Sequence, residues 1–260
     1  MHAETNGISI QYELQGPPSA PAVVFSHSLG ASLEIWRSQL EAFQENYRIL
    51  LYDTRGHGGT QTGNLPITIE TLSRDLLGLL DALAIDRAHF CGLSMGGLIG
   101  QWLGIHAPQR LQSLTLANTA LKIGAAESWN TRIATVEREG MAAIIPGTLE
   151  RWLTADFRVA HPGTAAAIET TLRNTGPIGY TACCAVVRDA DFRQTASQIS
   201  LPTLVIAGLH DPTTTPADLQ ALAAAIPNSK YVELEAGHIS SVNAAPSFNT
   251  ALNAFLDSLS

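Results

Sequence analysis

His89-Phe90-Cys91-Gly92-Leu93-Ser94-Met95-Gly96-Gly97 is the stretch whose reading decides the fold. It opens as an apolar strand, His89 to Gly92. After one sharp turn it becomes a helix, from Gly97 to His106, which Pro108 stops. The turn itself reads Gly-x-Ser-x-Gly. In a chain with 21 glycines the bare pattern recurs by chance, so the setting carries the information. A serine on a strand-to-helix turn has its hydroxyl thrust out at the end of the sheet, and small neighbours relieve the crowding that such a turn creates.

The flanking sequence repeats the strand and helix alternation. Ile8 to Leu14 alternates apolar and polar residues, the pattern of a strand with one face exposed. Ala22-Val23-Val24-Phe25 reads as a buried strand entering a loop at Ser26-His27-Ser28-Leu29-Gly30. Arg48 to Tyr52 is another, ending in the Gly-rich turn Asp53-Thr54-Arg55-Gly56-His57-Gly58-Gly59. Thr68 is placed to cap a helix with Glu70 in its first turn. Leu72, Leu76, Leu79, Leu80 and Leu83 give that helix one apolar stripe. Leu111 to Ala117 is again a strand. The alternation breaks near Asn118, and the chain reads as mostly helical to about Ile199. It resumes with a strand at Thr203 to Gly208, a helix at Ala217 to Ala225 and a strand at Lys230 to Leu234. A final helix carries Phe248, Leu252, Phe255, Leu256 and Leu259 on one face. This predicts an α/β fold, a mostly parallel sheet with helices on both faces. Residues 1–117 and 200–260 would form the core domain and residues 118–199 an inserted helical cap.

Composition removes several classes of function. Of 260 residues 45% are apolar and 15% charged, enough for a buried core. The net charge of −8 suits neither DNA nor RNA, so no nucleic acid partner is expected. No apolar run approaches about 18 residues, so no membrane span is expected. Met1 to Asn6 lacks a basic stretch followed by an apolar one, which argues against a secretory signal. Cys91, Cys183 and Cys184 are odd in number and lack metal-ligand spacing, so a reduced cytoplasmic setting and no metal are expected.

A serine hydroxyl needs a base beside it to attack at neutral pH. On this type of fold the acid and then the histidine follow the serine in the chain. Asp211, in Gly208-Leu209-His210-Asp211-Pro212, comes after one strand, and His238, in Glu235-Ala236-Gly237-His238-Ile239, after the next. Both loops fall at the strand ends beside Ser94, where open α/β sheets bind ligands. Ser94, His238 and Asp211 are therefore expected as nucleophile, base and orienting acid. Two backbone N–H groups should stabilise the oxyanion. The N–H of Met95 is one, and that of Leu29 the other, with Ser28 in its place if the loop is shifted by one. Most of the eight histidines must be structural. His57 is expected to brace its own turn, and His210 to be a bystander beside the acid.

At this point the chain resembles a known family, the 3-oxoadipate enol-lactonases of the α/β-hydrolase superfamily. The resemblance runs nearly end to end. It is carried by Ser26 to Gly30, Leu33-Glu34-Ile35-Trp36, Tyr52 to Gly58 and His89 to Gly97. Within the cap it is carried by Glu150-Arg151-Trp152 and by Gly179-Tyr180-Thr181-Ala182-Cys183-Cys184-Ala185-Val186-Val187-Arg188-Asp189. Leu209-His210 is a departure, since a more polar lead-in to the acid is usual. The resemblance implies an eight-stranded sheet with the cap inserted after the sixth strand. It also implies opening of 3-oxoadipate enol-lactone to 3-oxoadipate in the β-ketoadipate pathway of aromatic breakdown, fed by acids such as protocatechuate, with no cofactor. The partner would then be a small anionic lactone.

Charge placement suits such a ligand. Residues 118–200 hold eight basic and eight acidic side chains, whereas the rest holds seven basic against fifteen acidic. An anion would therefore meet a neutral cap. Arg132 is the candidate partner for the substrate carboxylate. Trp129, one helical turn away, is expected as an apolar wall, and Ser28 as a further contact. The same triad would also serve a general carboxylesterase, a perhydrolase or a carbon–carbon bond hydrolase. A different class, a low-turnover receptor on this fold, would keep the triad as well. Haloalkane dehalogenases and epoxide hydrolases are disfavoured, because their elbow carries Asp where this chain has Ser94.

Overall fold

The parallel pairing expected from the alternation is present, and it fixes which loops gather at one edge. The computed structural model describes residues 1–259. Its strands are β1 (His2–Thr5), β2 (Ile8–Gln15), β3 (Ala22–Ser26), β4 (Arg48–Tyr52), β5 (Ala88–Leu93), β6 (Leu111–Ala117), β7 (Thr203–Gly208) and β8 (Ser229–Leu234). They form one sheet in the order β1-β2-β4-β3-β5-β6-β7-β8. The pairs from β4 through β8 are parallel, and β1 and β2 join antiparallel at one edge.

β3, β5 and β7 are buried along their whole length. This is why they read as unbroken apolar runs, while β2, next to the edge strand β1 and only partly buried, alternates. β1, His-Ala-Glu-Thr, has no apolar signature at all. Only its pairing with β2 makes it a strand.

The helices are α1 (Arg37–Phe43), α2 (Ile69–Ala82), α3 (Met95–His106), α4 (Ala126–Glu139), α5 (Ile145–Trp152), α6 (Ala155–Ala160), α7 (Pro162–Asn174), α8 (Pro177–Asp189), α9 (Pro216–Ala225), α10 (Ser240–Asn243) and α11 (Ala245–Asp257). The Thr68 hydroxyl caps α2 by accepting from the Thr71 N–H at 3.1 Å. Leu72, Leu76, Leu79 and Leu80 of α2 are fully buried in the core on one face of the sheet, beside Leu98 and Leu103 of α3. On the other face α11 buries Phe248, Leu252, Phe255 and Leu256 against Phe25 and Trp36. Leu259 lies beyond the end of that helix.

Between β6 and β7 the described chain contains helices α4 to α8 and no strand. The α8 backbone rests directly on the turn after β4, and a Cβ on Gly56 would lie 2.7 Å from the Gly179 Cα. Among the described residues, no helix is long and apolar enough to cross a membrane. Cys91, Cys183 and Cys184 are buried free thiols.

Candidate active site

Ser94 occupies a backbone conformation that few side chains adopt, with φ +59° and ψ −112°. Such a residue costs about 1–3 kcal/mol and persists only where its surroundings fix it. They do so here from three sides. The Ser94 N–H donates to Ala117 O at 2.9 Å, and the Leu98 N–H donates to Ser94 O at 3.1 Å. The Thr119 hydroxyl donates to Ser94 O at 2.9 Å. The helix begins at Met95, two residues earlier than periodicity suggested, because Ser94 itself stands at its N-cap.

Asp211 and His238 come together as the sequence predicts. The His238 Nδ1 and the Asp211 Oδ2 are 2.7 Å apart, and both side chains are buried. Asp211 Oδ2 also accepts from the Thr214 hydroxyl at 2.7 Å and from Asn118 Nδ2 at 3.0 Å. Its Oδ1 accepts the N–H groups of Thr213 and Thr214 at 2.8 and 3.2 Å. Burial pushes this carboxyl up. The His238 charge and the hydrogen bonds from His238, Thr214 and Asn118 outweigh it, so the carboxyl is held below the usual carboxylate range. Neither Asn118 nor Thr214 was anticipated. The signal for Asn118 was its place at the end of β6, where it takes a positive φ of 43° that Asn tolerates.

Ser94 and His238 line one cavity of about 390 Å³, together with Ser28, Leu29, Trp129 and Arg132. Trp129 donates its indole N–H to Ile123 O at 2.7 Å, which leaves the ring as a wall. Arg132 donates from Nε to the Tyr180 hydroxyl at 2.6 Å and from Nη2 to the Thr148 hydroxyl at 2.7 Å. Arg151 lines the same cavity and was missed as a site residue. It stood in the sequence only as part of the quoted Glu-Arg-Trp. Its Nη2 reaches the same Thr148 hydroxyl at 3.4 Å. Burial and the neighbouring Arg132 charge pull the Arg151 guanidinium down from its ordinary value. Among the described residues neither arginine has a carboxylate partner within ion-pair distance. His210 turns away and pairs with Glu235 at the surface, 2.8 Å apart.

The loop holding Leu29 is fixed by two buried histidines. The Thr54 N–H donates to His27 Nε2 at 2.9 Å, so His27 carries its proton on Nδ1 and donates it to Ser28 O at 2.8 Å. The Gly30 N–H donates to His57 Nε2 at 2.9 Å. His57 therefore does more than brace its own turn, because it ties that turn to the loop after β3. Asp53 adds a third tie by accepting the Leu33 N–H at 2.8 Å. Among the described residues no acceptor meets the N–H of Leu29, and Met95 stands at the first turn of α3, where N–H groups lack helical partners.

Burial lowers His27 from 6.5 to about 4 and, helped by the His27 charge, lowers His57 from 6.5 to about 3. In the unfolded chain both take up protons near 6.5, and in the folded protein they do so only at those lower values. Between the two the unfolded chain binds more protons, so stability falls as pH falls. The melting temperature is expected to decline from about pH 6.5 down through about pH 4, with a shallower slope in His57→Gln. A flat melting profile across that window would contradict the neutral, buried assignment of the two rings.

A family model described as the alpha/beta hydrolase fold matches residues 21–245. The chain belongs to the α/β-hydrolase family. Among its relatives, 3-oxoadipate enol-lactonase 2 of Acinetobacter baylyi is 42% identical over 96% of this chain and 93% of its own length. 3-oxoadipate enol-lactonase 1 of the same organism is 37% identical over 100% of this chain and 97% of its own. The crystal structure of the enol-lactonase from Burkholderia xenovorans superposes with a TM-score of 0.97 at 42% identity. That match covers 99% of this chain and 100% of the other.

Proposed function

We propose that this α/β-hydrolase is a carboxylic ester hydrolase that opens 3-oxoadipate enol-lactone to 3-oxoadipate. One observation carries the reading: a single cavity has Ser94 and His238 on its wall together with Arg132 and Arg151, neither of which has an acidic partner within ion-pair distance among the described residues. Two such guanidiniums beside a reactive serine suit a small ester bearing a carboxylate better than a neutral one. The named relatives support the choice of lactone.

In this reading His238 takes the Ser94 proton as the hydroxyl attacks the lactone carbonyl. Asp211 holds the ring and stabilises the imidazolium. The N–H groups of Leu29 and Met95 take the oxyanion. The tetrahedral intermediate collapses by breaking the ring C–O bond. The enolate that leaves is far less basic than an alkoxide and takes the proton held by the His238 imidazolium, which returns the ring to its neutral form, and ketonisation then keeps the lactone from closing again. Neutral His238 next removes a proton from water, which attacks the acyl-enzyme; collapse breaks the bond to Ser94, His238 returns the proton to the Ser94 oxygen, and the second carboxylate is freed. Residues 118–199 act as the cap that supplies Trp129, Arg132 and Arg151, with Ser28 contributed from the core side. The three buried thiols fit a reducing cytoplasm.

Generating the enol-lactone in situ and following its loss by ultraviolet absorbance tests the reading. Turnover no faster than that of Ser94→Ala would refute it. Arg132→Ala and Arg151→Ala are each expected to raise KM for the lactone by about 10-fold or more, as expected for loss of a charge-assisted contact of about 1.5–3 kcal/mol. A neutral ester of similar size should be affected much less. Equal effects on the two substrates would remove the arginines from carboxylate recognition.

A further inference from the structure

The loop that carries His238 hangs on the cap as much as on the sheet. The His238 N–H donates to Arg151 O, and the Ile239 N–H to Trp152 O, each at 3.1 Å. These acceptors are the last carbonyls of α5, which have no partners within the helix itself. The contact is close as well, since a Cβ on Gly237 would lie 2.8 Å from Trp152 O. The helix end that offers these carbonyls also presents the Arg151 and Trp152 side chains to the cavity.

One side chain closes this junction. Asn243, at the end of α10, accepts the Gly237 N–H at 2.7 Å and the Thr154 N–H at 3.2 Å on the same Oδ1. Its Nδ2 donates to the Thr154 hydroxyl at 3.3 Å. Asn243 thus grips the residue before His238 with one bond and the chain just past α5 with two. No contact puts Asn243 in the cavity, so it acts only through others.

We infer that Asn243 is a positioning residue that locks the His238 loop to the end of cap helix α5, so that the cap sets where the base stands relative to Ser94. The inference rests on the reading of His238 as the base for Ser94. Its effect belongs in the chemical step, because the side chains of Arg151 and Trp152 can still meet the substrate when the lock is weakened, whereas the imidazole can no longer hold its line. Displacements of about 1 Å at a catalytic group are enough to cost up to about 100-fold in rate.

Asn243→Ala is expected to lower kcat for the enol-lactone by about 10-fold with KM within about twofold of wild type, on that sensitivity of rate to placement. Asn243→Asp keeps an oxygen for both N–H groups and, with the Thr154 hydroxyl now donating, should return kcat to within about threefold of wild type. Thr154→Val keeps the Thr154 N–H on Oδ1 but removes the bond to Nδ2 and, with it, the hydroxyl that accepts the Phe157 N–H at 3.3 Å to cap α6. It should give a smaller loss of kcat in the same direction, with the loss of the cap read in the melting temperature. Labelling of Ser94 by a fluorophosphonate, measured in parallel, separates the two levels of the argument. Wild-type protein labelled no faster than Ser94→Ala would fail the reading of the triad itself. Wild-type labelling combined with unchanged kcat in Asn243→Ala, or in Thr154→Val should the alanine variant not fold, would overturn the positioning role. So would a loss in Asn243→Asp as large as that in Asn243→Ala. A lowered melting temperature with kcat kept would overturn it too, because the side chain would then only join two segments.

Discussion

Asp211→Asn is expected to lower kcat by about 10⁴-fold, the scale seen when the acid of such a triad becomes an amide, with KM and the melting temperature changed little. Every group around the Asp211 carboxylate donates to it. Oδ2 receives the Thr214 hydroxyl, Asn118 Nδ2 and the His238 ring, and Oδ1 receives two backbone N–H groups. The backbone pair cannot turn away, so the amide oxygen of an asparagine must take the Oδ1 position and its NH₂ the Oδ2 position. That NH₂ then points at His238 Nδ1, which can only answer by offering a lone pair. The ring proton moves to Nε2, the nitrogen that should receive the Ser94 proton, and the base is disabled without any change of shape. The Thr214 hydroxyl can rotate to accept instead, and Asn118 Nδ2, which loses its Oδ2 acceptor, still has Gly237 O at 3.3 Å, which is why the fold should tolerate the change. The assay is enol-lactone turnover beside a melting curve. A kcat within about 10-fold of wild type would mean that the His238 tautomer is set by something other than Asp211.

The sheet was legible in the sequence because its central strands are buried on both faces and its helices carry clean apolar stripes. β1 was not, since four mostly polar residues become a strand only when β2 lies alongside. The meeting of Asp211 with His238, and of His238 with Ser94 on one cavity, was legible because chain order and strand ends bring the three residues to one edge of the sheet before any coordinate is known. What surrounds these three residues was not. Asn118 reaches Asp211 across 93 residues of chain and His57 reaches Gly30 across 27, and neither bond leaves a periodic or spacing signal. Arg132 could be singled out because it shares a helix face with Trp129. Arg151 could not, because its place beside Arg132 depends on how α5 packs among the helices between β6 and β7, through the Thr148 hydroxyl that both guanidiniums reach. Gly56 and Gly179 appeared as separate glycines in separate motifs, and only their backbone contact explains why neither position has room for a Cβ.

Gly96→Ala is expected to cost about 1–3 kcal/mol of stability through overpacking and, in the protein that still folds, about 100-fold in kcat through misplacement of the reacting groups. The substitution is mild in name, since Gly96 lies in the first turn of α3, where alanine is intrinsically favoured over glycine by about 1 kcal/mol. The geometry reverses the sign. A Cβ on Gly96 would stand 2.2 Å from Ser26 O and 2.7 Å from its carbonyl carbon. These are backbone atoms of β3, which the parallel pairing with β4 and β5 holds from both sides. The strand cannot yield alone, so α3 must lift or the end of β3 must bend. Either movement separates Met95 from the Ser28-Leu29 turn, and the two N–H groups proposed for one oxyanion drift apart while Ser94, His238 and Asp211 keep their side chains. Gly163→Ala in α7 supplies the contrast, because nothing lies within 4 Å of its added Cβ; it should leave kcat unchanged and stability equal or slightly raised. The decisive comparison is the rate of fluorophosphonate labelling of Ser94 against the steady turnover of the lactone. Because both reactions build charge on an oxygen in the same place, both should fall in Gly96→Ala. A folded Gly96→Ala protein that keeps both rates would show that the close approach of α3 to β3 serves packing alone, and that the donors for the oxyanion lie elsewhere than Leu29 and Met95.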